Sequence, residues 1–296
     1  MPRRRRRDEH GCEGYGGGSL KFGDMNIFPV SDGSFRLDGG AMFGVVPRAI
    51  WEKTNPPDEK NRVTLGLNPL LVQSDGTNIL IDTGIGDKGD SKFNSLYGVE
   101  KDRTLTKSLA ELGVKPGDID IVICTHLHFD HAGGNTMREK GVLKPTFPNA
   151  KYIVQRGEWE AATNPNERTR ASYRPEDFMP LMDAGVLELI EGDGEIAKGA
   201  AVFRTSGHNR DIQLVSIRSE GRTAVFLGDI IPTTTHLKLP FIMGYDLFPL
   251  DTLKAKKEIL TQAAHDKWLL VFEHDPVATM GYIRFIDGNP EFEKVQ

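Results

Sequence analysis

From residue 25 onward the apolar positions arrive in short runs. MNIFPV (25–30), RVTLGLNPLLVQ (62–73, broken at Pro69), NILIDT (78–83) and IDIVIC (119–124) come first. KYIVQ (151–155), VLELI (186–190), AVFRT (201–205), IQLVSI (212–217), TAVFLGD (223–229) and WLLVFEH (268–274) follow. Runs of this length, rich in β-branched residues and bounded by turn formers, predict strands. SDG at 74–76 predicts a hairpin turn between two of them. Helical spacing is rarer. Leu105, Leu109 and Leu112 share one face of a helix over 104–113, which Gly113 stops. A second helix is expected over 175–185, kinked or ended by Pro180, and a third over 251–265 with Asp251 as its N-cap. The order of elements is neither strictly alternating nor all-β, and it predicts two mixed sheets covered by helices.

Composition narrows the class. The chain has 296 residues and a net charge of −5, and no apolar run approaches the ~20 residues of a membrane span. Residues 1–20 read as a separate Arg/Gly-rich disordered tail, in which five arginines stand against Asp8, Glu9 and Glu13. The remainder, 21–296, reads as one domain carrying about −7, which gives no reason to expect a nucleic-acid or membrane partner. The two cysteines, Cys12 and Cys124, build no disulfide framework and fit a reducing, cytoplasmic setting.

The chemistry is concentrated in THLHFDHAGGN (125–135), directly after IDIVIC. On extended backbone, residues two apart point the same way, so His126 and His128 can reach one metal ion. Asp130 and His131 follow after the chain turns and face a second point. A chance match at four such positions is on the order of a few in ten thousand at ordinary residue frequencies. His10, in the tail, and His265, near a helix C-terminus, have ordinary explanations.

THLHFDHAGGN resembles the signature of the metallo-β-lactamase superfamily. The resemblance runs from about residue 22 to 284. It implies a four-layer αββα sandwich of two mixed sheets flanked by helices. It also implies further ligands at strand ends, and the chain supplies His208 in TSGH, Asp229 in FLGD and His274 in VFEH. Carried over, His126, His128 and His208 hold a first divalent ion, Asp130, His131 and His274 a second, and Asp229 bridges them. Zinc is the default metal, while manganese, iron or cobalt could use the same donors. Asp82, in IDTG, braces the metal loops without binding. The family pattern usually continues GH with a small residue and then a second glycine or histidine. Here GHNRDIQ sets Arg210 and Asp211 beside the metal loop, as a structural pair or with Arg210 at the substrate.

The implied reaction is hydrolysis by a hydroxide shared between two ions, with Asp229 holding both and Asp130 moving a proton toward the leaving group. A carboxylate at 229 argues against a β-lactamase, and the balanced C-terminal segment argues against a glutathione thioesterase. Two apolar, loop-like segments, 41–51 and 236–248, are expected to form a greasy pocket beside the metals. MFGVVPRAIWEK, LGLNPLLVQ and GDIIPTTTH together resemble the quorum-quenching N-acyl-homoserine lactonase branch, which implies a small-molecule lactone or ester substrate and a homodimer through 41–51. Some lactonases carry a tyrosine three residues after the bridging aspartate. Pro232 stands there, so substrate contacts are expected from Phe129, His236, Phe241 and Tyr245. The alternatives are a phosphotriesterase of the methyl-parathion-hydrolase type and a non-catalytic metal-binding protein.

Overall fold

The computed structural model describes residues 20–295. The expected tail, with His10 and Cys12, lies outside the described residues except for Leu20, which opens a strand. In chain order the strands are β1 (Leu20–Phe22), β2 (Met25–Pro29), β3 (Ser34–Asp38), β4 (Arg62–Gly66), β5 (Leu70–Ser74), β6 (Thr77–Ile81) and β7 (Ile121–Ile123). Next come β8 (Thr136–Glu139), β9 (Val142–Pro145), β10 (Lys151–Gln155), β11 (Leu187–Ile190), β12 (Gly194–Ala197) and β13 (Ala200–Thr205). The last are β14 (Ile212–Ser219), β15 (Arg222–Phe226), β16 (Leu269–Val271), β17 (Met280–Ile286) and β18 (Asn289–Lys294). Two seven-stranded mixed sheets result, β1-β2-β5-β6-β7-β10-β11 and β12-β13-β14-β15-β16-β17-β18. Two small ribbons, β3–β4 and β8–β9, stand apart.

Alternation along the strands builds the layers. In the first sheet Leu70, Val72, Ile79, Ile81 and Ile123 face Val215, Ile217, Phe226, Leu269 and Val271 of the second sheet. Their neighbours Leu71, Leu80, Val122 and Tyr152 face the opposite way. There they pack on α4 (Leu105–Glu111), α6 (Arg156–Thr163) and α7 (Met179–Asp183), numbered after the short α1 (Gly39–Phe43), α2 (Arg48–Trp51), α3 (Ser91–Tyr97) and α5 (Phe129–Ala132). On the far side of the second sheet, Leu214, Val225 and Leu270 pack on Ile259, Leu260 and Ala263 of α8 (Pro249–Asp266). A period of two on strands buried on both faces thus gives the expected helix–sheet–sheet–helix sandwich. Among the described residues no helix is long and apolar enough to cross a membrane.

Several boundaries differ from the sequence reading. Pro69 does separate two strands, and they belong to different sheets. The helix expected over 175–185 breaks at Phe178 rather than at Pro180. Pro180 sits in the first turn of α7, where a missing N–H leaves no bond unmade. Asp251 is not an N-cap. Phe248 holds that place and Pro249 takes the first helical position, so α8 starts two residues earlier and Asp251 lies in its first turn. Segment 41–51 is not simply a loop, since α1 and α2 occupy most of it. Gly44 joins them at φ 56°, and a Cβ there would meet the Ile242 carbonyl oxygen at 2.4 Å. Only glycine permits both that conformation and that approach.

Candidate functional site

Strands β7, β13, β15 and β16 all end at the same place. The loop after β7 carries His126 and His128, the second on extended backbone, and α5 then turns the chain so that Asp130 and His131 approach from another side. His208 follows β13, Asp229 follows β15 and His274 follows β16. All seven side chains are buried or nearly so. Their ligand atoms fall into three groups within 4.8 Å: His126, His128 and His208; His126, His131 and Asp229; Asp130, His131 and His274. Asp229 sits between the sets, with one oxygen 3.2 Å from His208 Nε2 and the other 3.4 Å from His131 Nε2 and 3.2 Å from His274 Nε2.

These donors suit divalent cations. His126 Nε2 and Asp229 Oδ1 are buried without a hydrogen-bond partner among the described residues. Buried polar atoms are rarely left so. His128 Nδ1 faces His208 Nε2 at 3.0 Å, and His131 Nε2 faces His274 Nε2 at 3.0 Å, so basic nitrogens point at each other across a shared space. Burial and the neighbouring histidines hold His126 and His128 well below the ordinary imidazole range. For Asp229, burial pushes upward, but His131, His208 and His274 outweigh it and keep the carboxyl well below its usual range. Against burial, Asp229 holds His131, His208 and His274 above the ordinary imidazole range. His126, His128 and Asp229 therefore already have the form a metal ligand needs, while a bound cation would displace protons from the other three.

The rings are aimed by a second set of contacts. Asp82, fully buried, accepts from Thr125 N at 2.7 Å and from the Thr125 hydroxyl at 2.7 Å, and it lies 2.9 Å from His131 Nδ1. It belongs to none of the ligand groups, so it stands as a brace. Asp246 lies 3.0 Å from His208 Nδ1 and accepts from the Thr252 hydroxyl at 2.8 Å. His274 Nδ1 donates to the Gly66 carbonyl at 2.9 Å. Such partners fix the tautomer and orientation of a ligating histidine. Pro232 contributes through its backbone, its carbonyl accepting from His274 N at 3.0 Å.

The cluster floors a cavity of about 350 Å³. Leu37, Met42, Leu65, Met243 and Leu247 give it an apolar wall, and Phe129 and Tyr245 line it as expected. His236 and Phe241 do not. His236 is buried, with Nδ1 2.7 Å from the Thr233 hydroxyl and Nε2 2.9 Å from the Met42 carbonyl. Both ring nitrogens are therefore committed to holding the wall from behind. Phe241 packs edge-on to Phe43 in the same outer cluster. The Arg210–Asp211 pair does not form. Arg210 lies over the Phe248 ring at 4.6 Å, and Asp211 pairs with Arg204 at 2.7 Å. Tyr97, Arg168, Ser172 and Asn209 line the cavity without having been singled out by the sequence. Only Asn209 carried a signal, as the neighbour of a ligand.

Residues 64–274 match the family described as the metallo-beta-lactamase superfamily. An N-acyl homoserine lactonase of Bacillus cereus is 31% identical over 230 residues, covering 73% of this chain and 83% of that one. A crystal structure of a probable metal-dependent hydrolase from Staphylococcus aureus superposes with a TM-score of 0.86 at 31% identity, covering 94% of this chain and 99% of the other. The dizinc quorum-quenching lactonase AidC, solved with a product, gives a TM-score of 0.79 at 21% identity over 94% and 97% of the two chains, a likeness of fold.

Proposed function

The chain belongs to the metallo-β-lactamase superfamily of metal-dependent hydrolases, and from that premise we propose that it opens the lactone ring of N-acyl-homoserine lactones, as a quorum-quenching enzyme. The observation that carries this reading is the pairing of a floor of clustered donors, five of which line the cavity, with an apolar wall in one space of about 350 Å³. The floor suits the ring and the wall suits an acyl chain. The lactonase relative supports the same choice.

In this reading His126, His128 and His208 hold one divalent cation, Asp130, His131 and His274 a second, and Asp229 reaches both. When bound, the ions, zinc by default, supply Lewis acidity and lower the pKa of water. The protein's own part is orientation. Asp82, Asp246 and the Gly66 carbonyl keep the histidine rings aimed, so little reorganisation is needed during reaction. Water adds to the ring carbonyl and gives a proton to the Asp130 carboxylate, the ring C–O bond breaks, and Asp130 passes that proton to the departing alkoxide. The product is the open hydroxy acid. Asp130 lines the cavity and is buried, which suits it to that transfer. Phe129 and Tyr245 contact the substrate from the wall. A homodimer through 41–51 belongs to the same reading, since Val45 and Ile50 are 91% and 51% exposed there.

The test is acid release from N-acyl-homoserine lactones of several chain lengths, before and after chelation. Metal-dependent ring opening is expected. Its absence at every chain length removes the lactonase reading, and faster turnover of a paraoxon-like phosphotriester favours the phosphotriesterase alternative instead.

A further inference from the structure

Glu158 lies on α6, belongs to none of the ligand groups, and is 2% exposed. A carboxylate in such a place is costly unless it is hydrogen-bonded. Three donors meet it. Oε1 accepts from Leu127 N at 2.9 Å and from the Tyr173 hydroxyl at 3.0 Å, and Oε2 accepts from Asn209 Nδ2 at 3.0 Å. Two of these donors have telling neighbours. Leu127 sits between His126 and His128, and Asn209 follows His208. The third belongs to Tyr173, whose ring packs edge-on to His128 at 4.9 Å. The approach of α6 to this loop is close by design, because a Cβ on Gly157 would meet an Asp211 carboxylate oxygen at 2.2 Å. No salt bridge involves Glu158 among the described residues.

We propose that Glu158 is a positioning residue for the first metal group: one buried carboxylate that ties the loop after β7 to the loop after β13 and so sets the spacing of His126, His128 and His208. The proposal rests on the two-metal reading above. An apolar side chain would fill the same volume more cheaply, but it would leave the Leu127 amide without an acceptor and Asn209 with only its 3.3 Å bond to the Tyr173 hydroxyl. The role is local. The group of Asp130, His131 and His274 is braced by Asp82 and the Gly66 carbonyl, which Glu158 does not touch, although Asp82 also reaches His126 through the Thr125 hydroxyl.

The experiment is zinc titration with a competing chelator, together with urea unfolding of the metal-free protein. Glu158→Gln keeps the volume and the acceptor toward Leu127 but sets an NH2 group against Asn209. One of the two zinc ions is expected to bind about 10–100-fold more weakly, the range seen when such outer partners are lost, while the second is held as in the wild type. Glu158→Gln combined with Asn209→Asp reverses the donor and acceptor and is expected to restore zinc affinity to within about threefold of wild type. Unchanged zinc affinity in Glu158→Gln overturns the proposal, as does an equal loss at both sites that the double variant fails to repair. Should Glu158→Gln not fold, Asn209→Ala leaves Glu158 bonded to Leu127 and Tyr173, cuts the tie to the loop of His208 along with the 3.3 Å bond from Asn209 to the Tyr173 hydroxyl, and must show the same one-ion loss. Wild-type protein that binds no zinc removes the two-metal reading as well, whereas two tight ions beside an unaffected variant remove only the role of Glu158.

Discussion

The floor and the wall of the cavity are built on opposite principles. On the floor four of the histidines are pinned, His126 by the Thr125 hydroxyl, His131 by Asp82, His208 by Asp246 and His274 by the Gly66 carbonyl. On the wall, polar groups are loose. The hydroxyls of Tyr97 and Tyr245 have no hydrogen-bond partner among the described residues, and Arg168 holds the neighbouring loop through one bond to the Gly244 carbonyl at 2.8 Å. Reaction geometry tolerates little error, whereas a surface that recognises a flexible chain needs only shape and polarity. Perturbing the floor should therefore abolish turnover, and perturbing the wall should retune it.

The largest effect is expected from Asp229→Ala, which removes the carboxylate lying between His208 on one side and His131 and His274 on the other. Lactone kcat/KM should fall on the order of 10³-fold or more, with loss of bound metal measured in parallel. A variant within tenfold of wild type would mean that the cluster is not the reaction centre. Next comes Lys256→Met. Lys256 is buried on α8 and donates to the carbonyls of Lys238, at 2.8 Å, and Phe241, at 2.7 Å, so it anchors the wall segment from behind. The Lys238 carbonyl keeps its bond from Phe241 N, but leaving the Phe241 carbonyl without its donor should cost about 2 kcal/mol, read from the urea midpoint. An unchanged midpoint would show the wall to be independent of α8.

His236 supplies a pH test of the same wall. Burial pulls its pKa from 6.5 down to about 4. Below pH 6.5 the unfolded chain takes up a proton that the folded protein refuses until pH about 4, so this group's contribution to stability is lost as pH falls. Between pH 7 and pH 5 the loss should be about 2 kcal/mol, and His236→Gln should remove that part of the pH dependence in urea melts of metal-free protein. Parallel pH profiles for the two proteins would refute it. The smallest effect is expected from Arg168→Ala. Loss of one exposed tie to Gly244 should raise KM about threefold and leave kcat unchanged. A fall in kcat instead would make Arg168 part of the floor rather than the wall.

The same contrast governs what the sequence revealed. The floor was legible because clustered donors leave two marks: four of them within the six positions 126–131, and single donors ending apolar runs at 208, 229 and 274. The sandwich was legible from alternation at positions such as Leu70, Leu71 and Val72, which face different layers. The wall left no such mark, since Leu37, Tyr97, Arg168 and Met243 each come from a different segment with no shared period. Buried polar anchors were equally hidden. Lys256 and Lys257 look alike in AKKEIL, yet one is buried and the other exposed, because only the first meets carbonyls brought in by a distant loop. His236 and Phe241 were misplaced for a related reason. An aromatic run starting near Asp229 supplies both a lining and its backing, and only packing says which residue does which. The β17–β18 hairpin was also missed, for its second strand is too polar to stand out.

The division of donors between the sheets has one more consequence. His126, His128, Asp130 and His131 leave the first sheet, formed entirely within residues 20–190, and His208, Asp229 and His274 leave the second, formed within 194–294. The contact between the facing sheets is greasy and without direction. The bonds that cross between the halves, such as Gln213 N to the Thr125 carbonyl and Asn209 to Glu158, gather near the donors, so bound cations would add a further tie between two consecutive pieces of chain. A polypeptide nicked at the Glu191–Asp193 bend should then reassemble around metal, and ion uptake alone would report the union before any lactone is added.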